Sequence, residues 1–154
     1  MDSERIEKLA IIALENNLYK SELIQADIRR NDKIPCWDGT VYLYSKPGKH
    51  KDDIFGKCDI QIKGKVTKNT KDLKRDHLKF SVELADLRNY WNTGGVLYFV
   101  ALIDEKCADI NTIRIYYYVL LPGEIRRIFH EIDDENQKEK TLRFRCIPTE
   151  VDLI

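Results

Sequence analysis

The chain carries no excess charge of either sign: 26 lysines and arginines balance 26 aspartates and glutamates over 154 residues. Whole-protein charge therefore draws in no polyanion, and any such partner must be met by local clusters. Closely spaced cysteine pairs are also missing. Cys36, Cys58, Cys107 and Cys146 stand far apart, in or beside apolar segments. That spacing excludes a zinc ribbon and predicts reduced, mostly buried thiols. His50, His77 and His130 lack ligand or triad spacing, so no role is assigned to them. Long apolar runs are absent as well. Residues 96–103 and 115–121 have strand length and fall far short of a membrane span. The start, Met1-Asp2-Ser3-Glu4-Arg5, has no apolar signal core. A cytoplasmic protein without a membrane partner is expected. With no repeat and no linker, residues 1–154 read as a single domain, which a longer protein could continue past Asp152-Leu153-Ile154.

What is present is 43% hydrophobic and 34% charged residues, enough for one core under a strongly charged surface. Residues 3–17 predict a helix capped by Ser3, with Glu4 and Glu7 suited to its first turn. Ile6, Leu9, Ala10, Ala13 and Leu14 give its apolar face. Ile11 and Ile12 extend that face around the back. Strands are predicted over 23–28, 40–44, 57–66, 78–82, 96–103, 113–121 and 141–147. The near-continuous apolarity of 96–103 and 113–121 predicts cover on both faces. Residues 29–33 read as a polar turn, 45–56 as a loop, 67–76 as a basic loop or short helix, and 133–140 as a mobile charged segment. Helices are predicted over 84–92, stopped by Gly94-Gly95, and from Pro122 to about residue 132. The fold class is α/β (mixed α+β): one mixed sheet flanked by helices.

Asp38 and Gln61-Ile62-Lys63 stand out. A metal-dependent phosphodiesterase needs a charged oxygen ligand, a second oxygen ligand beside it, and a cation near the attacking water. If strands 40–44 and 57–66 form an antiparallel hairpin with Tyr44 opposite Lys57, Asp38 falls opposite Lys63, with Gln61 on the same face. Singly, each residue has an ordinary reading: Asp38-Gly39 as a turn, Lys63 as a solvated strand residue.

Pro35-Cys36-Trp37-Asp38, followed by Gln61-Ile62-Lys63 on a strand and preceded by a helix with Glu4 and Glu7, resembles the PD-(D/E)XK nuclease superfamily. The Gln-x-Lys form is similar to its Mrr-like branch. Trp37-Asp38-Gly39, Gln61-Ile62-Lys63-Gly64, Leu87-Arg88-Asn89-Tyr90, Gly94-Gly95-Val96 and Ile115-Tyr116-Tyr117 also resemble a bacterial domain-of-unknown-function family within it. The resemblance spans roughly residues 4–130. It implies a restriction-endonuclease-like fold and Mg²⁺ or Mn²⁺ bound by Asp38, the Gln61 side-chain oxygen and the Ile62 carbonyl. Lys63 would orient or deprotonate the attacking water. Glu7, or Glu4 after it, would complete the site. The departure is Gln61 itself, where most of the superfamily has Asp or Glu. Asp59, two residues earlier on the same face, could compensate for the missing charge.

Lys63, Lys65, Lys68, Lys71, Lys74, Arg75 and Lys79 oppose only Asp72 and Asp76 within residues 63–79. Lys65, Lys68, Lys71, Lys74 and Arg75 are therefore the candidate nucleic-acid contacts, with DNA as the expected partner. The solvated-loop alternative carries equal weight. Lys46, Lys49, His50 and Lys51 form a weaker basic cluster. Tyr90-Trp91 and Tyr116-Tyr117-Tyr118 are expected to serve the core. The leading expectation is a metal-dependent DNA endonuclease, in restriction or phage defence. The alternatives are a nuclease-fold module that binds nucleic acid without cutting it, and a protein-binding regulatory domain. A homodimer, a further C-terminal domain or a partner protein is left open.

Overall fold

The computed structural model describes residues 1–29 and 36–147. The predicted turn at 29–33 and Pro35 of the Pro-Cys-Trp-Asp motif fall largely outside them. Helix α1 (Ser3–Tyr19) is followed by strands β1 (Ile24–Ile28), β2 (Gly39–Tyr44), β3 (Ile54–Thr67) and β4 (His77–Glu83). Then come α2 (Leu84–Asn92), β5 (Val96–Asp104), β6 (Arg114–Leu120), α3 (Pro122–His130) and β7 (Glu139–Cys146). The seven strands form one mixed sheet in the order β1-β2-β3-β5-β6-β7-β4. Only β3 and β5 run parallel; their crossover passes through β4 and α2. The predicted mixed α/β class holds. No helix among the described residues is long and apolar enough to cross a membrane.

The sheet separates two cores of different chemistry. On one face, α1 buries Ala10, Ile11, Ala13, Leu14 and Leu18 against Val41, Ile60, Ile62, Ala101, Ile103 and Ile115. Ile12, expected to widen the buried face, is 36% exposed. The helix lies close to the sheet because β3 offers Gly64 beneath it. A Cβ there would stand 2.4 Å from Ile6 Cγ2. The cap is Asp2 rather than Ser3: its carboxylate accepts from the Arg5 N–H at 2.8 Å.

On the other face, α2 and α3 contribute Leu84, Leu87, Tyr90, Ile125 and Ile128 to a core rich in aromatic rings. β7 meets β6 only at Tyr116–Cys146 and Tyr117–Arg145. Phe80, Leu142 and Phe144 of the β4–β7 ribbon pack into this core. Phe144 packs edge-on against Tyr98 at 5.5 Å and Tyr118 at 5.6 Å between ring centres. β5 is buried on both faces along nearly its whole length, as its apolar sequence requires.

The β2–β3 hairpin departs from the expected register. β3 begins at Ile54, after a short 3₁₀ turn at Lys51–Asp53, and a bulge places Tyr44 opposite Ile54 rather than Lys57. Gly39 then pairs with Ile60, and continuing that register sets Asp38 opposite Gln61 instead of Lys63. The slip is two residues. An even slip leaves side-chain parity intact, so the predicted association survives the wrong register.

Candidate metal centre and nucleic-acid interface

β2 leaves β3 at Gly39. The departure is tight: a Cβ on Gly39 would lie 2.1 Å from the Asp27 carbonyl oxygen of β1. Asp38 follows β3 a little further. Its N–H donates to the Ile60 carbonyl at 2.9 Å, and its own carbonyl accepts from the Arg29 N–H at 2.8 Å. Its carboxylate then takes the place of a strand partner and accepts from the Ile62 N–H at 2.8 Å. In a strand, the N–H and C=O of one residue face the same neighbour. The Ile62 carbonyl therefore faces this gap too.

Gln61 and Lys63 project from β3 onto the aromatic side, in register with Tyr98 and Val100 of β5. Gln61 is 5% exposed, and its Oε1 is buried without a hydrogen-bond partner. Leaving a buried acceptor unpaired costs about 1–3 kcal/mol. Burial pushes the Asp38 carboxyl above its ordinary range. The Ile62 N–H and the Lys63 ammonium pull it back, and the Glu7 carboxylate pushes it up again. Lys63 and, more weakly, Glu7 are thus the charged side chains that act on Asp38. Glu7 acts from α1, on the opposite face of the sheet from Gln61 and Lys63, and remains exposed.

Glu4 lies elsewhere. It pairs with Lys8 at 2.8 Å, both side chains largely in solvent. Asp59 faces Thr40, whose hydroxyl donates to it at 3.5 Å. Neither joins the Asp38 group. Among the described residues, no three His, Cys, Asp or Glu side chains gather as a metal-binding cluster. A cation in the gap would rest on one carboxylate, one neutral amide oxygen and a backbone carbonyl. The orphaned Gln61 oxygen and the half-buried Asp38 carboxylate fit such an oxygen-seeking ion.

Helix α2 secures the segment before Asp38. The Tyr90 hydroxyl donates to the Cys36 carbonyl at 2.8 Å, the Cys36 thiol donates to Asp86 at 3.1 Å, and the Asn89 amide donates to the Cys36 sulfur at 3.2 Å. Cys36 holds φ +72°, a strained value for a non-glycine residue, and these bonds maintain it. Burial, then the Asp86 contact, pushes the Cys36 thiol up, so it is a structural rather than a reactive sulfur. Of the four cysteines, only Cys146 is buried and Cys107 is exposed. The expectation of mostly buried thiols therefore fails for Cys107. Nothing in the sequence marked Asp86, Asn89 and Tyr90 as supports, beyond their place on one predicted helix.

The candidate DNA contacts divide. Lys65 and Arg75 line a cleft of about 460 Å³, together with His77, Lys79 and Arg143. Lys68, Lys71 and Lys74 are exposed but do not line it. The basic segment is fixed from below: the Tyr116 hydroxyl donates to the Arg75 carbonyl at 2.8 Å, and Thr67 donates to Asp72 at 2.6 Å. Tyr90 and Tyr116 are fully buried, as expected of core residues. Trp91 is not: it is 47% exposed and packs on Phe129. Compared with family models, curated proteins and solved structures, the chain has no significant match in any of the three.

Proposed function

We propose that this chain is a Mg²⁺- or Mn²⁺-dependent DNA endonuclease of the PD-(D/E)XK type, on a restriction-endonuclease-like sheet. The observation that carries this reading is the buried, partnerless Gln61 oxygen on the residue that the register sets opposite the half-buried Asp38, where β2 parts from β3. A buried oxygen left unpaired next to a half-buried carboxylate is costly unless a cation completes the pair. Asp38, Gln61 and the Ile62 carbonyl would hold that ion. When bound, it would activate a water and neutralise phosphate charge. Lys63, two residues before Lys65 on β3, is exposed and supplies a positive charge that acts on Asp38. Its ammonium would orient the attacking water and hold charge on the scissile phosphate. Glu7, whose carboxylate acts on Asp38 from the α1 side, would bind a metal-bound water. A role in restriction or phage defence, in the cytoplasm, belongs to the same proposal.

A second reading is a module that binds nucleic acid without cutting it. The neutral Gln61 and the lack of a three-acid cluster among the described residues favour it. Plasmid DNA incubated with the purified protein separates the two. Cutting with Mg²⁺ or Mn²⁺, abolished by a chelator and slowed about 10²-fold or more in a folded Lys63→Ala variant, is expected of the nuclease. Salt-sensitive binding with no cutting under any divalent cation would favour the binding module.

A further inference from the structure

The outer face of the β4–β7 ribbon carries a charge pattern that the candidate centre does not use. In this antiparallel pair, His77 stands opposite Arg145, Lys79 opposite Arg143, Ser81 opposite Thr141, and Glu83 opposite Glu139. Alternate residues share a face, so the four pairs form one ladder. The residues between them, Leu78, Phe80, Val82, Leu142 and Phe144, turn into the aromatic core. The ladder is polarised: cationic at the His77–Arg145 end, hydroxylic in the middle, where Ser81 and Thr141 lie 2.9 Å apart, and acidic at the Glu83–Glu139 end.

Like charges directly opposed across strands destabilise a sheet. Lys79 and Arg143 are such a pair. Neither they nor Arg145 form an ion pair among the described residues, although the chain has an acid for every base. Lys79 and Arg143 also line the cleft that contains Lys65 and Arg75. The one acid lining that cleft, Asp72, is engaged by Thr67 at 2.6 Å and by Arg75 at 3.4 Å. Lys65 follows Lys63 by two residues on the same face of β3, a step of about 6.6 Å. The cationic track thus runs from the Asp38 gap, through the cleft, and onto the ribbon.

We infer that the cationic end of this ladder, Lys79 and Arg143 with Arg145 beside them, is a docking surface for the phosphate backbone of nucleic acid. This rests on the nuclease reading and extends it. The track would lead one strand's phosphates from the candidate centre along Lys65 onto the ribbon. The acidic Glu83–Glu139 end would limit the footprint by repulsion. These are backbone contacts, so they position the duplex and carry no sequence preference.

The test uses the full chain, a chelator, and a duplex of about 20–30 bp. Binding is measured across salt concentrations for the wild type, for Lys79→Gln with Arg143→Gln, and for Lys46→Gln with Lys51→Gln. The last pair removes the same charge from the β2–β3 loop. The ladder variant is expected to bind more weakly at low salt. The slope of log affinity against log salt should fall by about 2, and the loop variant should behave as the wild type. Equal losses in both variants would reduce the effect to net charge and overturn the inference. Unchanged binding with new self-association of the ladder variant, seen by sedimentation, would show that these cations only guard the free edge of β4, and would also overturn it. Cleavage is scored separately with Mn²⁺. Ladder-dependent binding by a protein that never cuts would sink the nuclease reading and leave this inference standing. Cutting with ladder-independent binding would do the reverse.

Discussion

The two sides of the sheet are built from different materials. The α1 side is aliphatic: Leu14, Ile60, Ala101 and Ile103 are essentially fully buried, and Phe99 is its one buried aromatic residue. The opposite side holds Tyr90, Tyr98, Tyr116 and Phe144. Aromatic rings with hydroxyl tips bury large area and still offer one directed hydrogen bond. Two of these tips are spent on chain segments beside candidate site residues: Tyr90 on the Cys36 carbonyl before Asp38, and Tyr116 on the Arg75 carbonyl at the basic cleft. A third, Tyr118, bonds Glu124 and so ties α3 to β6. The aliphatic side contributes undirected burial that holds the sheet together. The aromatic side converts burial into position. Stability and site geometry are therefore carried by separate layers.

Substitutions on the two sides should separate in the same way. Leu14→Ala, in the aliphatic layer, is expected to cost about 2–5 kcal/mol in denaturant unfolding, while leaving the cutting rate of the folded fraction near wild type. A comparable loss of rate per folded molecule would show that the layers are coupled. Tyr90→Phe keeps the ring and deletes only the hydroxyl. It is expected to cost about 1 kcal/mol and to lower cutting by more than that stability loss explains, because the Cys36–Asp38 segment is released. A stability loss without an added rate effect would confine Tyr90 to packing.

The smallest expected effect is at Glu124. Arg127, then the Tyr118 hydroxyl, hold its carboxyl below the usual range. The ionised form is thus favoured in the folded chain. This stabilisation is present above the ordinary value of 4.5 and is lost as pH falls through the lower folded value. Melting temperatures of the wild type and Glu124→Gln should differ modestly at neutral pH and converge on acidification. Parallel curves at all pH values would remove the ionic part of the contact, which is partly solvent-exposed and weak for that reason.

Much of this was legible in the residues. The seven strands and three helices were each predictable, because apolar period and turn chemistry agreed along the chain. Their ends were less so. β3 starts three residues earlier than its alternation suggested, since Ile54 and Phe55 are exposed edge residues without a partner face. The hairpin register depended on a bulge at Leu43 and Tyr44 that no local signal announces. Asp38 and Gln61 were still brought together, because parity tolerates a two-residue error. Arg143 is not legible in the same way, because it is remote in sequence from the basic run at 63–79 and meets Lys79 through the β4–β7 pairing. The Cys36–Asp86–Asn89 contacts were hidden for the same reason: a separation of about fifty residues carries no periodic trace.

The claim that the Asp38 gap holds a divalent cation is tested most directly by thermal unfolding with and without Mn²⁺. Burial disfavours the Asp38 carboxylate in the metal-free chain, and an ion bound only by the folded state would raise stability by mass action. The wild type is expected to melt higher as Mn²⁺ is added, and Asp38→Asn to show no such rise. Equal shifts in both proteins, or none in the wild type, would contradict a cation site at Asp38 and Gln61.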